Sequence, residues 1–187
     1  MSDAAIDRIL LEQAIAGDEA AFSQLYERHW ELVYRFAFRI VNSVEAAQDI
    51  THDCFVSLIK HPDRYNPNLA SLSTYLCAAA RNLALKQFRR TETELLSEDE
   101  AFAPNQPGGD RSPLQQVLDR ELSAVVQQAI AELPVLQREA LVLFEFEELS
   151  LAEVATVVGT DVGTVKSRLS RARERLKKVF APYFQTQ

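Results

Sequence analysis

The chain is poor in residues that bend or brace a backbone. Its 187 residues hold five glycines, seven prolines and two cysteines. So few glycines and prolines disfavour a turn-rich sandwich or barrel and favour helices. Cys54 and Cys77 do not make a disulfide framework. No apolar run approaches the ~18 residues that span a bilayer. The opening decapeptide, MSDAAIDRIL, carries Asp3 and Asp7 and lacks the basic-then-apolar order of a secretory signal. The expectation is a reduced, cytoplasmic protein without membrane insertion. Catalytic signatures are missing too. There is no phosphate loop, and the GTVKS at 163–167 lacks the upstream glycine; there is no GxSxG elbow and no HExxH or CxxC spacing. The histidines are His29, His52 and His61. His52 and Cys54, two apart on a helix, point about 200° from each other and make poor joint ligands. These absences predict a protein with no enzymatic activity, cofactor or metal.

What is present is an apolar, unevenly charged chain. With 47% hydrophobic residues it is not a mostly disordered polypeptide. The formal charge of -7 argues at first against a nucleic-acid binder. The distribution reverses that reading. Residues 81–90 carry four basic side chains and no acid, and residues 161–187 carry seven basic and two acidic ones. Between them, 92–121 is net -6 and 122–160 is net -5. Screening confines charge interactions to about 8–10 Å at physiological salt, so a docked polyanion responds to the local patch.

Helical periodicity runs through most of the chain. A stripe of Ile6, Leu10, Leu11 and Ala14 ends at Gly17, and Asp18 is suited to cap the next helix. Phe22, Leu25, Val33, Phe36 and Ile40 mark that helix, which Asn42-Ser43 breaks. Ala47, Ile50, Cys54, Phe55 and Leu58 mark a third, stopped at His61-Pro62. A loop, DRYNPNLAS, leads to a fourth over Ser73–Arg90. Residues 91–112, acidic and then rich in Pro, Gly and Asn, read as a flexible linker. Ser112, Pro113 and Gln115 form the pattern of a capping box with proline at the first helical position. That helix is expected to run to Leu133, and another from Pro134 to Phe146.

The strongest signal is at the C-terminus. Ser150 and Glu153 predict a capping box for a helix over 151–158, and Gly159 stands where positive φ is needed. A longer basic helix follows from Val162 to about Phe180, with Val165, Leu169, Ala172, Leu176 and Val179 on one face. Short helix, glycine turn and long basic helix match a helix-turn-helix. Lys166, Ser167, Ser170 and Arg171 share a face near the start of the second helix, the part that enters a major groove. Arg and Lys read guanine edges there, and Ser donates or accepts. Arg168 and Arg173 extend the candidate set, with Arg173 further along and suited to phosphates or an acidic protein surface. A second patch, Asn82, Lys86, Arg89 and Arg90 beside Arg81, lies downstream of the loop holding Tyr65. Basic, amide and aromatic side chains suit an unstacked single strand, although such a face is also common without that role.

Together these segments resemble a group IV, or extracytoplasmic-function, sigma factor of the sigma-70 family. AFSQLYERHWELVYRFAFRIV, AAQDITHDCF and TYLCAAARN resemble the family's region two, and LPVLQREALVLFEFEELSLAEVATVVGTDVGTVKSRLSRARERL its region four. The resemblance implies an all-α protein: a region-two-like domain over 1–90, the linker 91–112, and a region-four-like domain over 113–187. It implies a subunit that binds bacterial core RNA polymerase through the β′ coiled coil and β flap and directs initiation at promoter DNA. Lys166, Ser167, Ser170 and Arg171 match the face that reads the -35 duplex. Asn82 matches a position that helps hold a flipped -10 base, with the Tyr65 loop as pocket wall. Asp49, His52 and Asp53 match the helix face that docks on the β′ coiled coil. An anti-sigma factor is implied as a further partner. The sequence departs from the family where His52 replaces a usual Gln, Gln48 a Glu, Tyr75 a common Trp and Ala78 a common Arg. Read from the residues alone, a stand-alone helix-turn-helix regulator and a protein-binding helical adaptor remain alternatives.

Overall fold

A computed structural model describes residues 3–95 and 124–184, without the side chains of 89–95 and 182–184. Among the described residues the chain is helical and has no strand. Helix α1 spans Asp3–Ile15 and buries Leu10, Leu11 and Ala14. It ends in a turn with Gly17 at φ +98°, a conformation that favours glycine. Asp18 then caps α2, Glu19–Val41, accepting the N–H groups of Ala20 and Ala21. That helix stops at Asn42, which is left-handed at φ +52° and donates its N–H to Phe38 O. Ser43 caps α3, Val44–Lys60, which leads into a 3-10 turn at Pro62–Arg64.

Helix α4 spans Leu72–Leu95. It therefore continues five residues into the segment expected to be linker. Residues 91–95, TETEL, contain no Gly or Pro, and Glu and Leu sustain a helix well. The rest of the expected linker, and the predicted cap at Ser112, Pro113 and Gln115, lie outside the described residues. Helices α1–α4 enclose Leu25, Val33, Phe36, Ile40, Phe55, Leu58, Leu72 and Leu76, each nearly inaccessible to solvent. Each such side chain contributes roughly 1.5–3 kcal/mol on burial.

The C-terminal half contains α5, Ala124–Ala131, α6, Val135–Leu141, α7, Leu151–Val158, and α8, Val162–Phe184. The helix expected to reach Phe146 is α-helical only to Leu141. Residues Val142–Phe146 form a wider π-helical turn, closed by Glu147 N–H to Val142 O at 3.1 Å. On α8, Val165, Leu169 and Ala172 are buried, but Val179 is 42% exposed, so the apolar stripe fades near the helix end.

The two halves pack directly on each other, and one apolar cluster runs through both. Buried Arg138 ties them at the backbone. Its guanidinium donates to Ile40 O at the end of α2, and to Ala131 O and Leu133 O at the end of α5. These carbonyls belong to helix ends, where intrahelical partners run out. Burial lowers the Arg138 pKa from its ordinary value, so the carbonyls are what make its position tolerable.

Candidate nucleic-acid interface

The C-terminal surface is assembled by caps. Ser150 Oγ accepts the Glu153 N–H, and Glu153 Oε2 accepts the Ser150 N–H at 2.9 Å, so the predicted capping box closes from both sides. The Ser150 hydroxyl and N–H, aided by Thr74, hold the Glu153 carboxyl below its ordinary 4.5. Gly159 takes φ +66° and ends α7. Asp161 then receives the Thr164 N–H at 2.9 Å and the Thr164 hydroxyl at 2.6 Å, which lowers its own pKa. A Cβ on Gly163 would stand 2.9 Å from Asp161 Oδ1, so glycine leaves that cap undisturbed.

From this rigid start, α8 presents Lys166, Ser167, Ser170 and Arg171 to solvent, opposite the buried Val165, Leu169 and Ala172. Among the described residues, no ion pair engages Lys166 or Arg171. Arg168 and Arg173 behave differently. Arg168 Nη1 lies 3.1 Å from Glu139 Oε1, and Arg173 is held by Glu145 at 2.9 Å and stacks over Phe144. The six candidates thus divide into four displayed and two engaged, with Arg173 on the acidic Glu145 of the protein's own surface.

The patch on α4 divides as well. Asn82 and Lys86 are exposed and four residues apart, hence on one face. Tyr75, two helical turns before Asn82 and about 10 Å along the axis, packs against Tyr65 with ring centroids 5.3 Å apart. Burial raises both phenol pKa values, so these rings stay neutral. Arg89 and Arg90 lie within α4, but their side chains are outside the described residues. Arg81 turns the other way. It bonds Glu139 across the two halves, Nε to Oε2 at 2.6 Å and Nη2 to Oε1 at 3.2 Å. On the same face Thr74 reaches Glu153 at 3.4 Å, and Cys77 is fully buried.

A third surface lies on α3. Gln48, Asp49, His52 and Asp53 are all exposed, spaced to form one acidic strip, while Ala47, Ile50, Thr51 and Cys54 face the core. Burial pushes the Cys54 thiol to about 12 and the Cys77 thiol well above its ordinary value, so both stay protonated and poorly nucleophilic. Among the described residues, no group of three or more His, Cys, Asp or Glu could hold a metal, and no helix is long and apolar enough to cross a membrane.

Sequence reasoning missed Glu139 and Glu147. Glu147, its side chain wholly buried, takes Arg39 at 2.7 Å and Arg35 at 3.3 Å, both from α2. Arg39 also lies 4.7 Å over the Phe146 ring. The available signal was an acid set inside an apolar run, REALVLFEFEELS.

Comparison with known proteins gives a consistent picture. Residues 25–94 match Sigma-70 region 2, and residues 123–176 match Sigma-70, region 4. The chain is 30% identical over 175 residues to the ECF RNA polymerase sigma factor SigW of Bacillus subtilis, covering 90% of this chain and 93% of that protein. It is 33% identical over 187 residues to the RNA polymerase sigma-H factor of Pseudomonas aeruginosa, covering 94% of each. Among solved structures it is similar to the sigma factor RpoE in complex with the anti-sigma factor NepR from Bartonella quintana. That match has a TM-score of 0.71 at 25% identity and covers 86% of this chain and 96% of that one. CnrH in complex with the cytosolic domain of CnrY gives a TM-score of 0.68 at 25% identity, covering 95% and 98%.

Proposed function

Because the chain belongs to the extracytoplasmic-function sigma factors of the sigma-70 family, we propose that it initiates transcription through three separate surfaces, on α8, α4 and α3. The observation that carries this reading is the exposed quartet Lys166, Ser167, Ser170 and Arg171 on the first turns of α8, behind the capped α7 and the Gly159 turn. That geometry delivers donors to base edges of the -35 duplex, where Arg reads guanine and Ser reads either partner. Arg168 and Arg173 join the same DNA surface once Glu139 and Glu145 release them.

Asn82 and Lys86 form the surface for the -10 strand. An amide can bond the edge of a flipped base, and the Tyr65–Tyr75 pair offers an apolar wall beside it. Capturing that base offsets part of an unstacking cost of about a few kcal/mol. Arg89 and Arg90 continue the basic track along α4. The acidic strip of Asp49, His52 and Asp53 docks on a basic face of the β′ coiled coil, where complementary charge speeds encounter and sets register. A neutral His52 can hydrogen-bond as the family's usual Gln does. The domain division at 1–90, 91–112 and 113–187, with α4 reaching into the linker, supplies the tether between the DNA-reading surfaces. The C-terminal domain also meets the β flap. The protein acts as a non-catalytic subunit, in the cytoplasm where polymerase and promoter are. An anti-sigma factor is a further partner, since the RpoE and CnrH structures it resembles hold such inhibitors or a comparable cytosolic domain.

The test is reconstitution with bacterial core polymerase, followed by selection from a random DNA library and run-off transcription. The expected result is RNA from templates sharing two spaced elements. Binding to duplex DNA without any affinity for core polymerase would instead identify a stand-alone regulator.

A further inference from the structure

Where α1, α2 and α4 meet, a chain of buried polar groups lies that the three surfaces above do not use. The side chains of Asp7 on α1 and His29 on α2 are only 8% and 7% exposed. His29 Nε2 lies 3.1 Å from Asp7 Oδ2, close but off the axis of a hydrogen bond. Arg28 Nε donates to Asp7 Oδ1 at 2.9 Å, and Arg28 Nη2 to Asp3 at 3.1 Å. On the other edge of the imidazole, Nδ1 lies 3.4 Å from Ser73 Oγ in the first turn of α4. The carboxylate favours a proton on Nε2 and leaves Nδ1 to accept the serine hydroxyl. Burying a carboxylate beside an imidazole is costly, and apolar side chains would hold three helices together at least as well.

The chain ends behind the aromatic wall. Ser73 and Tyr75, two apart on α4, point about 200° from each other. A hydroxyl fixed on His29 therefore keeps the Tyr75 ring turned toward Tyr65. After burial, it is the charge of Asp7 that raises the Tyr65 phenol pKa, so this carboxylate is within electrostatic reach of the wall's other ring. Starting the helix does not need Ser73, because Ser71 Oγ already accepts the Thr74 N–H at 3.1 Å. We propose that Asp7 and His29 are positioning residues for capture of the -10 strand: through Ser73 they orient the first turn of α4 and bring α1 into the -10 site. The proposal rests on the promoter-reading function given above. Asp7 precedes residues 25–94, the stretch that matches region 2, so the support comes from outside that stretch.

The test uses Ser73→Ala and Asp7→Asn in the full chain, with Ser73→Thr as the variant that restores the hydroxyl. In holoenzyme on a template selected as above, permanganate oxidation of unpaired thymines follows melting. Losing one hydrogen bond is expected to slow melting about fivefold in either variant, with protection of the -35 duplex staying within about twofold of wild type. Ser73→Thr should recover the wild-type rate, and the double variant should be no slower than the slower single one, because both act through one contact. In the chain without DNA, amide exchange over residues 72–76 should quicken about fivefold in both variants and stay unchanged along α8. Unchanged melting, equal loss at both elements, additive losses in the double variant, or no recovery in Ser73→Thr would each overturn the proposal. Should Asp7→Asn lose helix, Ser73→Ala decides alone, since its site is half-buried and the cap at Ser71 is intact. Absence of promoter-dependent RNA from the wild type would sink the functional reading. The exchange measurement would then decide whether the network orients α4, and an unchanged rate would overturn it.

Discussion

Two basic patches that look alike in the sequence meet different fates in the fold. On α8 the cations Lys166 and Arg171 of the N-terminal part stand in solvent, because Val165, Leu169 and Ala172 take the buried face. On α4 the patch is split by about 100° of helix rotation between neighbours: Asn82 is exposed while Arg81 is spent on Glu139. A run of positive charge therefore says little about display until the partner of each helix face is known. The α8 patch is set by local caps, the α4 patch by the packing of one half on the other.

The comparison can be broken at the seam first. Glu147→Ala would take this carboxylate from buried Arg39, while part-exposed Arg35 keeps Glu31, and removing one partner of a buried pair costs about 3–5 kcal/mol. A denaturant titration should show the two halves losing mutual stabilisation by that order. A change below about 1 kcal/mol would mean the halves are held by apolar contact alone. The α8 patch should respond to DNA sequence rather than to stability. Arg171→Ala is expected to cost roughly 1–3 kcal/mol at one -35 position, measured by holoenzyme binding to a set of single-base variants. Equal weakening across all variants would make Arg171 a phosphate contact.

A smaller effect separates the cap from the seam. Glu153→Gln removes the charged partner of Ser150 and should cost about 1 kcal/mol at neutral pH, as helix caps do. The native carboxyl titrates below its ordinary value, so its contribution is full above about 4.5 and is lost as pH falls through the lowered folded value. The stability gap between wild type and variant should close in acid; a gap constant from pH 7 to pH 3 would assign the effect to shape rather than charge. Least of all in stability terms, Asp49→Ala with Asp53→Ala should leave thermal unfolding within about 0.5 kcal/mol, as exposed sites do. The same pair should weaken association with core polymerase, chiefly through the on-rate. Unchanged association would remove the α3 strip from the docking surface.

Local signals were legible in the sequence. Asp18, Ser43 and Ser150 cap where their side chains and spacing predicted, and Gly159 turns where a left-handed residue was needed. The helix-turn-helix and its displayed face follow from such short-range chemistry. What stayed hidden was long-range. Glu139 and Glu147 sit among apolar residues, and nothing within a few positions indicates that arginines from another helix, 58 and 108 residues distant, satisfy them. The extension of α4 through 91–95 was masked by its acidic composition, which resembles the linker more than the helix. The exposure of Val179 escaped because periodicity marks a face without saying how far the neighbouring helix reaches.

The wide turn at Val142–Phe146 has a consequence for insertion and deletion. Within it Glu145 reaches Arg173 on one side, and just beyond it Glu147 reaches Arg39 on the other. The extra backbone unit sets both directions at once. Excising any one residue there would restore an ordinary helical repeat and swing all that follows by about 100°. Side-chain identity at Val142 or Leu143 can drift among apolar types, but the count of residues between Leu141 and Leu149 is fixed. A single-residue deletion scan should find this stretch intolerant while the tip at Asn68–Leu69, exposed and loosely packed, accepts the same change.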